Sequence, residues 1–297
     1  MLKVVATYFL VFILEFMQYP AVFAQEYQTI PLWDSNVPGA LGDTENDIPV
    51  LYHYQAETTN KTKTAIIICP GGGYATLAMD HEGHQIARWL AGLGIDAFIL
   101  RYRIPAHGYR HPIPMEDGMR AIRLVRSHAR QWGIDTNKIG IIGFSAGGHL
   151  ASTIGTHWDN GDAHATDSVE QVSSRPDFMA LVYPVISFTT EYTHQGSKER
   201  LLGENPDPET VRLLSNELQV DQNTPPTFLV HTSEDQTVPS ENSVLFYLAL
   251  KKAKVPAELH IFEQGHHGLG LGPQGMPFSN WPELFREWML AMHFLIP

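Results

Sequence analysis

Eleven residues, Ile139-Gly140-Ile141-Ile142-Gly143-Phe144-Ser145-Ala146-Gly147-Gly148-His149, constrain this chain more than any other stretch. A short apolar run leads into Gly-Phe-Ser-Ala-Gly, and a helix-compatible stretch follows. This is the G-x-S-x-G pattern of a nucleophile elbow. The backbone must reverse sharply between strand and helix, which leaves the serine hydroxyl exposed on a strained turn. A side chain at Gly143 or Gly147 would crowd that turn. The helix beyond it points its first free N–H groups back at the serine.

The elbow needs a buried sheet, and the rest of the chain supplies the strands. Apolar runs at Thr64–Cys69, Ile95–Leu100, Ile139–Ile142, Phe178–Val182, Thr227–His231 and Glu258–Phe262 read as strands. Shorter candidates lie at Gln28–Leu32 and Val50–Gln55. Helical spacing covers His81–Gly92, Met115–Gln131, Ala146–Thr156, Ser240–Ala253 and Pro282–Phe294. Alternation of this kind predicts an α/β fold, with a mostly parallel sheet covered by helices on both faces. Right-handed crossovers then bring the strand C-termini to one edge, where the loops build a site. Residues 157–176 and 187–224 interrupt the alternation and are expected to be insertions over that edge. The second is read as a short helical excursion, Glu199–Gly203, followed by a loop through Pro206-Asp207-Pro208.

The N-terminus stands apart. Lys3 precedes a mostly apolar run from Val4 to Phe23, closing at Ala21-Val22-Phe23-Ala24. Small Ala24 and branched Val22 fit a secretory cleavage site after residue 24. The expectation is a signal peptide over 1–24, one catalytic domain over 25–297, and a secreted or periplasmic location. Glu15 inside the run disfavours a retained membrane span. Cys69 is the only cysteine, so export brings no intrachain disulfide. A net charge of −12 argues against nucleic acid or an anionic membrane as partners.

A serine hydroxyl needs a base, and the base needs an orienting acid. Asp235 follows a strand C-terminus in His231-Thr232-Ser233-Glu234-Asp235, and Glu234 is its neighbouring alternative. The base lies in Gln264-Gly265-His266-His267-Gly268. His267 is favoured over His266 because Gly268 follows it directly. The order serine, acid, histidine is the hydrolase order. Oxyanion donors are expected from the Ala146 N–H and from Gly72 and Gly73 in Pro70-Gly71-Gly72-Gly73-Tyr74. That loop lacks the Gly-Lys-Ser/Thr ending of a phosphate loop. His157, Asp159, Asp162 and His164 cluster, yet no metal-ligand spacing appears. The chemistry calls for no metal or organic cofactor.

With these residues assembled, the chain resembles the α/β-hydrolase superfamily across residues 27–297. Within it, it is similar to secreted bacterial esterases related to acetylxylan esterases and to the bacterial feruloyl-esterase-like group. The resemblance is carried by Pro70–Tyr74, Tyr102-Arg103, Pro114–Asp117, Gly143–Ala151, Ser233–Pro239 and Gly265–Gly270. In that family the base is the histidine directly before a glycine, which supports His267. Hormone-sensitive-lipase-like relatives carry His-Gly-Gly-Gly at the oxyanion loop. Pro70 replaces that histidine here, which leaves the loop's outer support open. The resemblance implies a serine carboxylesterase acting on a small ester or an acetylated oligosaccharide, with acetylxylan foremost. Feruloyl esters and general short-chain esters are the alternatives, followed by a serine peptidase and a non-catalytic binding protein. Trp158, Tyr192 and Trp281 are candidates for stacking on sugar.

Overall fold

The computed structural model describes residues 26–56 and 61–296. The leader expected over 1–24 lies outside the described residues. Eight strands form one sheet: β1 Gln28–Pro31, β2 Val50–Tyr54, β3 Ala65–Cys69, β4 Asp96–Arg101, β5 Ile139–Phe144, β6 Phe178–Val182, β7 Thr227–Thr232 and β8 Ala257–Phe262. Their spatial order is β1-β2-β4-β3-β5-β6-β7-β8. Strands β4, β3 and β5 to β8 run parallel, while β2 pairs antiparallel with both β1 and β4.

Strands β3, β5, β6 and β7 are buried at every position, so their apolar residues serve both faces. Successive residues point to opposite sides. Ile67, Ile141, Leu181 and Leu229 pack beneath α2 (Ile113–Trp132), α3 (Ala146–His157) and α6 (Glu241–Lys252). Ile66, Ile68, Ile142, Val182 and Val230 pack beneath α1 (Gln85–Gly92) and α7 (Trp281–Ala291). The result is the three-layer arrangement expected from the sequence, and the ends of β3, β5, β6, β7 and β8 open at one edge.

Two segments differ from expectation. The helix read as starting at His81 is preceded by a wide turn over Asp80–His84. There the His84 N–H reaches the Met79 carbonyl and the Gln85 N–H reaches that of Asp80. The widening turns the carboxylate of Glu82 into the interior. The second insertion carries two helices, α4 (Gln195–Leu202) and α5 (Pro208–Leu213), where one was expected. Asp207 caps α5 by accepting the Thr210 N–H at 2.9 Å, and Pro208 occupies its first turn. The Asp-Pro pair read as a loop is therefore a helix start. The first insertion lies against α2, where Arg120 meets Asp167 and Glu170, and Arg123 meets Asp159.

Candidate active site

Ser145 joins β5 to α3 with φ 52° and ψ −120°, a conformation side chains rarely adopt. The glycines around it are forced by contact with main chain. A Cβ at Gly143 would overlap the Gly147 carbonyl, lying 2.6 Å from its carbon. One at Gly147 would overlap the Cys69 carbonyl oxygen and come within 2.6 Å of that of Pro70. Two further bonds hold the elbow: the Ser145 N–H donates to Val182 at 3.1 Å, and the Val185 N–H donates to Ser145 at 3.0 Å.

Three strand ends bring Ser145, His267 and Asp235 together. Ser145 Oγ lies 2.7 Å from His267 Nε2, and His267 Nδ1 lies 2.6 Å from Asp235 Oδ2. A carboxylate accepts only, so Nδ1 carries the proton and Nε2 accepts from the serine hydroxyl. Burial of Asp235 opposes its charge. Hydrogen bonds from His231 and His267, with those from the Thr237 and Val238 N–H groups at 2.9 Å each, outweigh it. The carboxyl is held well below the ordinary carboxylate range. The alternatives point elsewhere. Exposed Glu234 accepts the Gly265 N–H at 3.0 Å, and exposed His266 turns Nδ1 to the carbonyl of His267 at 2.7 Å.

The glycine loop after β3 completes the arrangement. Gly72 and Gly73 have φ of 122° and 62°, open to glycine but strained for other residues. Their carbonyls are engaged, Gly72 by the Ala75 and Thr76 N–H groups and Gly73 by Arg200 Nη1 at 3.0 Å. Among the described residues, no acceptor meets the N–H of Gly72 or Gly73. Ala146 opens α3, so its N–H is one of that helix's free first-turn donors. Ala146 directly follows the serine, and Gly71, which precedes the two free donors, lies against it: a Cβ there would come within 2.8 Å of the Ser145 Cβ.

Residues 51–250 match the BD-FAE family. The chain belongs to the BD-FAE family. A solved structure described as an acetyl ester-xyloside bifunctional hydrolase, from Caldicellulosiruptor lactoaceticus, is 47% identical with a TM-score of 0.86. The match covers 93% of this chain and all of that one. An endo-1,4-beta-xylanase B of Butyrivibrio fibrisolvens is 39% identical over 236 residues, 79% of this chain and 36% of that protein. An acetylxylan esterase of Xylanibacter ruminicola is 37% identical over 217 residues, 72% of this chain and 42% of that protein. The chain thus spans well under half the length of these two curated relatives.

Several further residues support this BD-FAE site. Tyr102 OH donates to the Pro70 carbonyl at 2.7 Å, supplying outer support at the position where some relatives have a histidine. Buried His231 bonds Ser243 and the Val238 carbonyl behind Asp235. Glu82 and Tyr183 link two of the loops. Of these two, Tyr183 alone leaves a trace in the sequence, as the residue directly after an apolar strand. The structure corrects one expectation: Trp281 has no exposed surface and cannot stack on sugar. Its indole N–H instead holds the Gly270 carbonyl at 3.0 Å. Trp158 faces the guanidinium of Arg175. Near residue 160, His157 Nδ1 donates to the Thr153 carbonyl at 3.0 Å, while His164 is exposed.

His149 ties the elbow helix to the glycine loop. Its Nε2–H donates to the Leu214 carbonyl and its Nδ1 accepts from Tyr74 OH, both at 2.9 Å. Complete burial pushes its pKa down to about 4. The unfolded chain, with an ordinary imidazole near 6.5, takes up the proton first. Stability from this group is therefore complete above about pH 6.5 and falls as pH drops toward 4. The loss is on the order of 3 kcal/mol by the lower limit. Burial also lowers His84, His111, His157 and His194, which act in the same direction. Urea unfolding at pH 7, 5.5 and 4.5 should show this slope, and His149→Gln should flatten it while costing stability at pH 7. An unchanged slope in the variant would contradict the account.

Proposed function

We propose that this chain is a serine carboxylesterase that removes short acyl groups, acetyl foremost, from carbohydrate esters such as acetylated xylan or xylo-oligosaccharides. One observation carries the reading: Ser145 Oγ is 2.7 Å from a His267 nitrogen whose ring partner is fixed by Asp235. In this reading Ser145 Oγ attacks the ester carbonyl as its proton passes to His267 Nε2. The N–H groups of Gly72, Gly73 and Ala146 receive the developing oxyanion. Collapse of the tetrahedral intermediate expels the alcohol, which takes the proton from His267. Water then repeats the sequence on the acyl-enzyme, with His267 as base and Ser145 as leaving group. Asp235 keeps the imidazole in the required tautomer and offsets its positive charge. No step needs a metal.

The substrate class rests on three supports. The names of the similar proteins concern acetyl esters and xylan. The leader-like residues 1–24 suit export to where polysaccharide is met, and we place the enzyme outside the cytoplasm on that basis. The rim is polar: a Cβ built on Gly73 would lie 3.1 Å from Arg200 Nη1 and 3.8 Å from His194 Cε1. Both residues come from the inserted region. His194 Nδ1 is engaged with Ser197 Oγ at 2.8 Å, which leaves Nε2 for a ligand hydroxyl. A hydroxyl-bearing alcohol suits such a rim better than a long acyl chain. Acetylated xylo-oligosaccharides, methyl ferulate and p-nitrophenyl esters of increasing chain length should be compared by kcat/KM. Acetate release from the oligosaccharides, with turnover falling as the acyl chain grows, is the expected result. Preference for ferulate or long acyl groups would overturn the substrate class.

A further inference from the structure

Glu82 is 2% exposed and sits on the wide turn before α1, outside every motif that defines the site. Its Oε2 accepts the Gly71 N–H at 2.8 Å, and its Oε1 accepts the hydroxyl of Tyr183 at 2.9 Å. The Tyr183 oxygen in turn accepts the Gly270 N–H at 2.8 Å. The Tyr183 ring stands edge-on to the His267 imidazole, with centroids 5.0 Å apart at 64°. Gly71 is squeezed between the carboxylate and the nucleophile. A Cβ there would lie 2.7 Å from Glu82 Oε2 and 2.8 Å from the Ser145 Cβ.

One buried carboxylate therefore links two loops, the first directly and the second through the Tyr183 hydroxyl. The first follows β3 and holds the Gly72 and Gly73 donors. The second follows β8 and holds His267. Tyr183, at the end of β6, is the crosspiece. A buried carboxylate is tolerated only where donors satisfy it, and both of these donors belong to the reaction edge. Loops at the ends of separate strands have no intrinsic registration, whereas oxyanion donors and base must be set within about half an ångström of each other.

We propose that Glu82 is a positioning residue that, through Tyr183, registers the oxyanion loop against the histidine loop. The proposal rests on the serine-esterase reading, and the test separates the two. Wild type, Glu82→Gln, Tyr183→Phe and the double variant are titrated with a fluorophosphonate to count competent serines. Turnover of p-nitrophenyl acetate is then measured per titrated site. Glutamine keeps the shape, but its amide accepts through one oxygen only and turns N–H toward the other donor. Phenylalanine removes only the crosspiece hydroxyl.

The expected result for Glu82→Gln is a fall in kcat of about 10–100-fold per titrated site, with KM within about threefold. Tyr183→Phe should cost about 3–10-fold, and the double variant no more than Glu82→Gln alone, because both cut one link. Unchanged kcat per titrated site, with only the melting temperature or the titrated fraction falling, would mean that Glu82 merely satisfies the core and would overturn the proposal. So would effects that multiply in the double variant. Where Glu82→Gln does not fold, Tyr183→Phe decides: kcat per site must fall. Failure of the esterase reading itself shows differently, as wild-type protein that neither labels nor turns over ester.

Discussion

Replacing Ser145 by alanine should lower kcat/KM for p-nitrophenyl acetate by about 10³-fold or more, with the fold intact. The nucleophilic oxygen disappears while the elbow stays, because φ 52° at this position is held by main-chain bonds to β6 and the segment after it. His267→Ala should cost a similar factor, since among the described residues no other side chain hydrogen-bonds Ser145 Oγ. The two losses should not multiply in a double variant, as nucleophile and base act in one step. His266→Ala is the control. His266 is exposed and turned to a carbonyl, so most activity should survive. Steady-state kinetics alongside circular dichroism checks all three, and full turnover by folded Ser145→Ala protein would refute the nucleophile.

The parts of this site that were legible in the sequence are those whose chemistry forces a local pattern. This elbow has no room for a Cβ two residues either side of the serine, so Gly143 and Gly147 announce Ser145. The glycines at 71–73 are legible for the same reason, since a backbone meant to meet substrate excludes side chains. Asp235 and His267 were legible through position, each just past a strand end. The choice between His267 and His266 is made by how the loop after β8 folds over Tyr183, a contact between residues 84 positions apart. What stayed hidden was long-range. Glu82 lies in a stretch whose composition suits an ordinary amphipathic helix, and only the widened turn shows that its carboxylate faces inward. Trp281 went the other way: an aromatic near the C-terminus invites a sugar-stacking role, yet α7 packs it wholly into the lower layer beside Phe144 and Phe285. Local patterns report turns and strands, whereas the partner of a buried polar group depends on which distant elements the sheet brings together.

Gly147→Ala adds one methyl group, and the nearest atoms that methyl meets are main chain: the carbonyl groups of Cys69 and Pro70 at the end of β3. A flexible side chain could swing aside, but these atoms belong to the centre of the sheet and to the start of the oxyanion loop. Cys69 is paired with Gly143 across β3 and β5, so pushing it away strains both strands at the elbow. The expected cost is about 3 kcal/mol, the upper range for overpacking a tight interior. In melting temperature that is roughly 5–10 °C for a chain of this size. Activity should suffer more than stability, because the displaced segments carry Ser145 and Ala146 on one side and Gly72 and Gly73 on the other. A shift approaching 1 Å between nucleophile and oxyanion donors costs on the order of 10²-fold. Gly92→Ala supplies the contrast. A Cβ there meets nothing within 4 Å, at the end of a helix, so it should leave kcat unchanged and stability level or slightly raised. Thermal melts and p-nitrophenyl acetate kinetics on the two variants test the argument together. Equal behaviour of Gly147→Ala and Gly92→Ala would show that the elbow can yield, and that main-chain crowding is not what reserves position 147 for glycine.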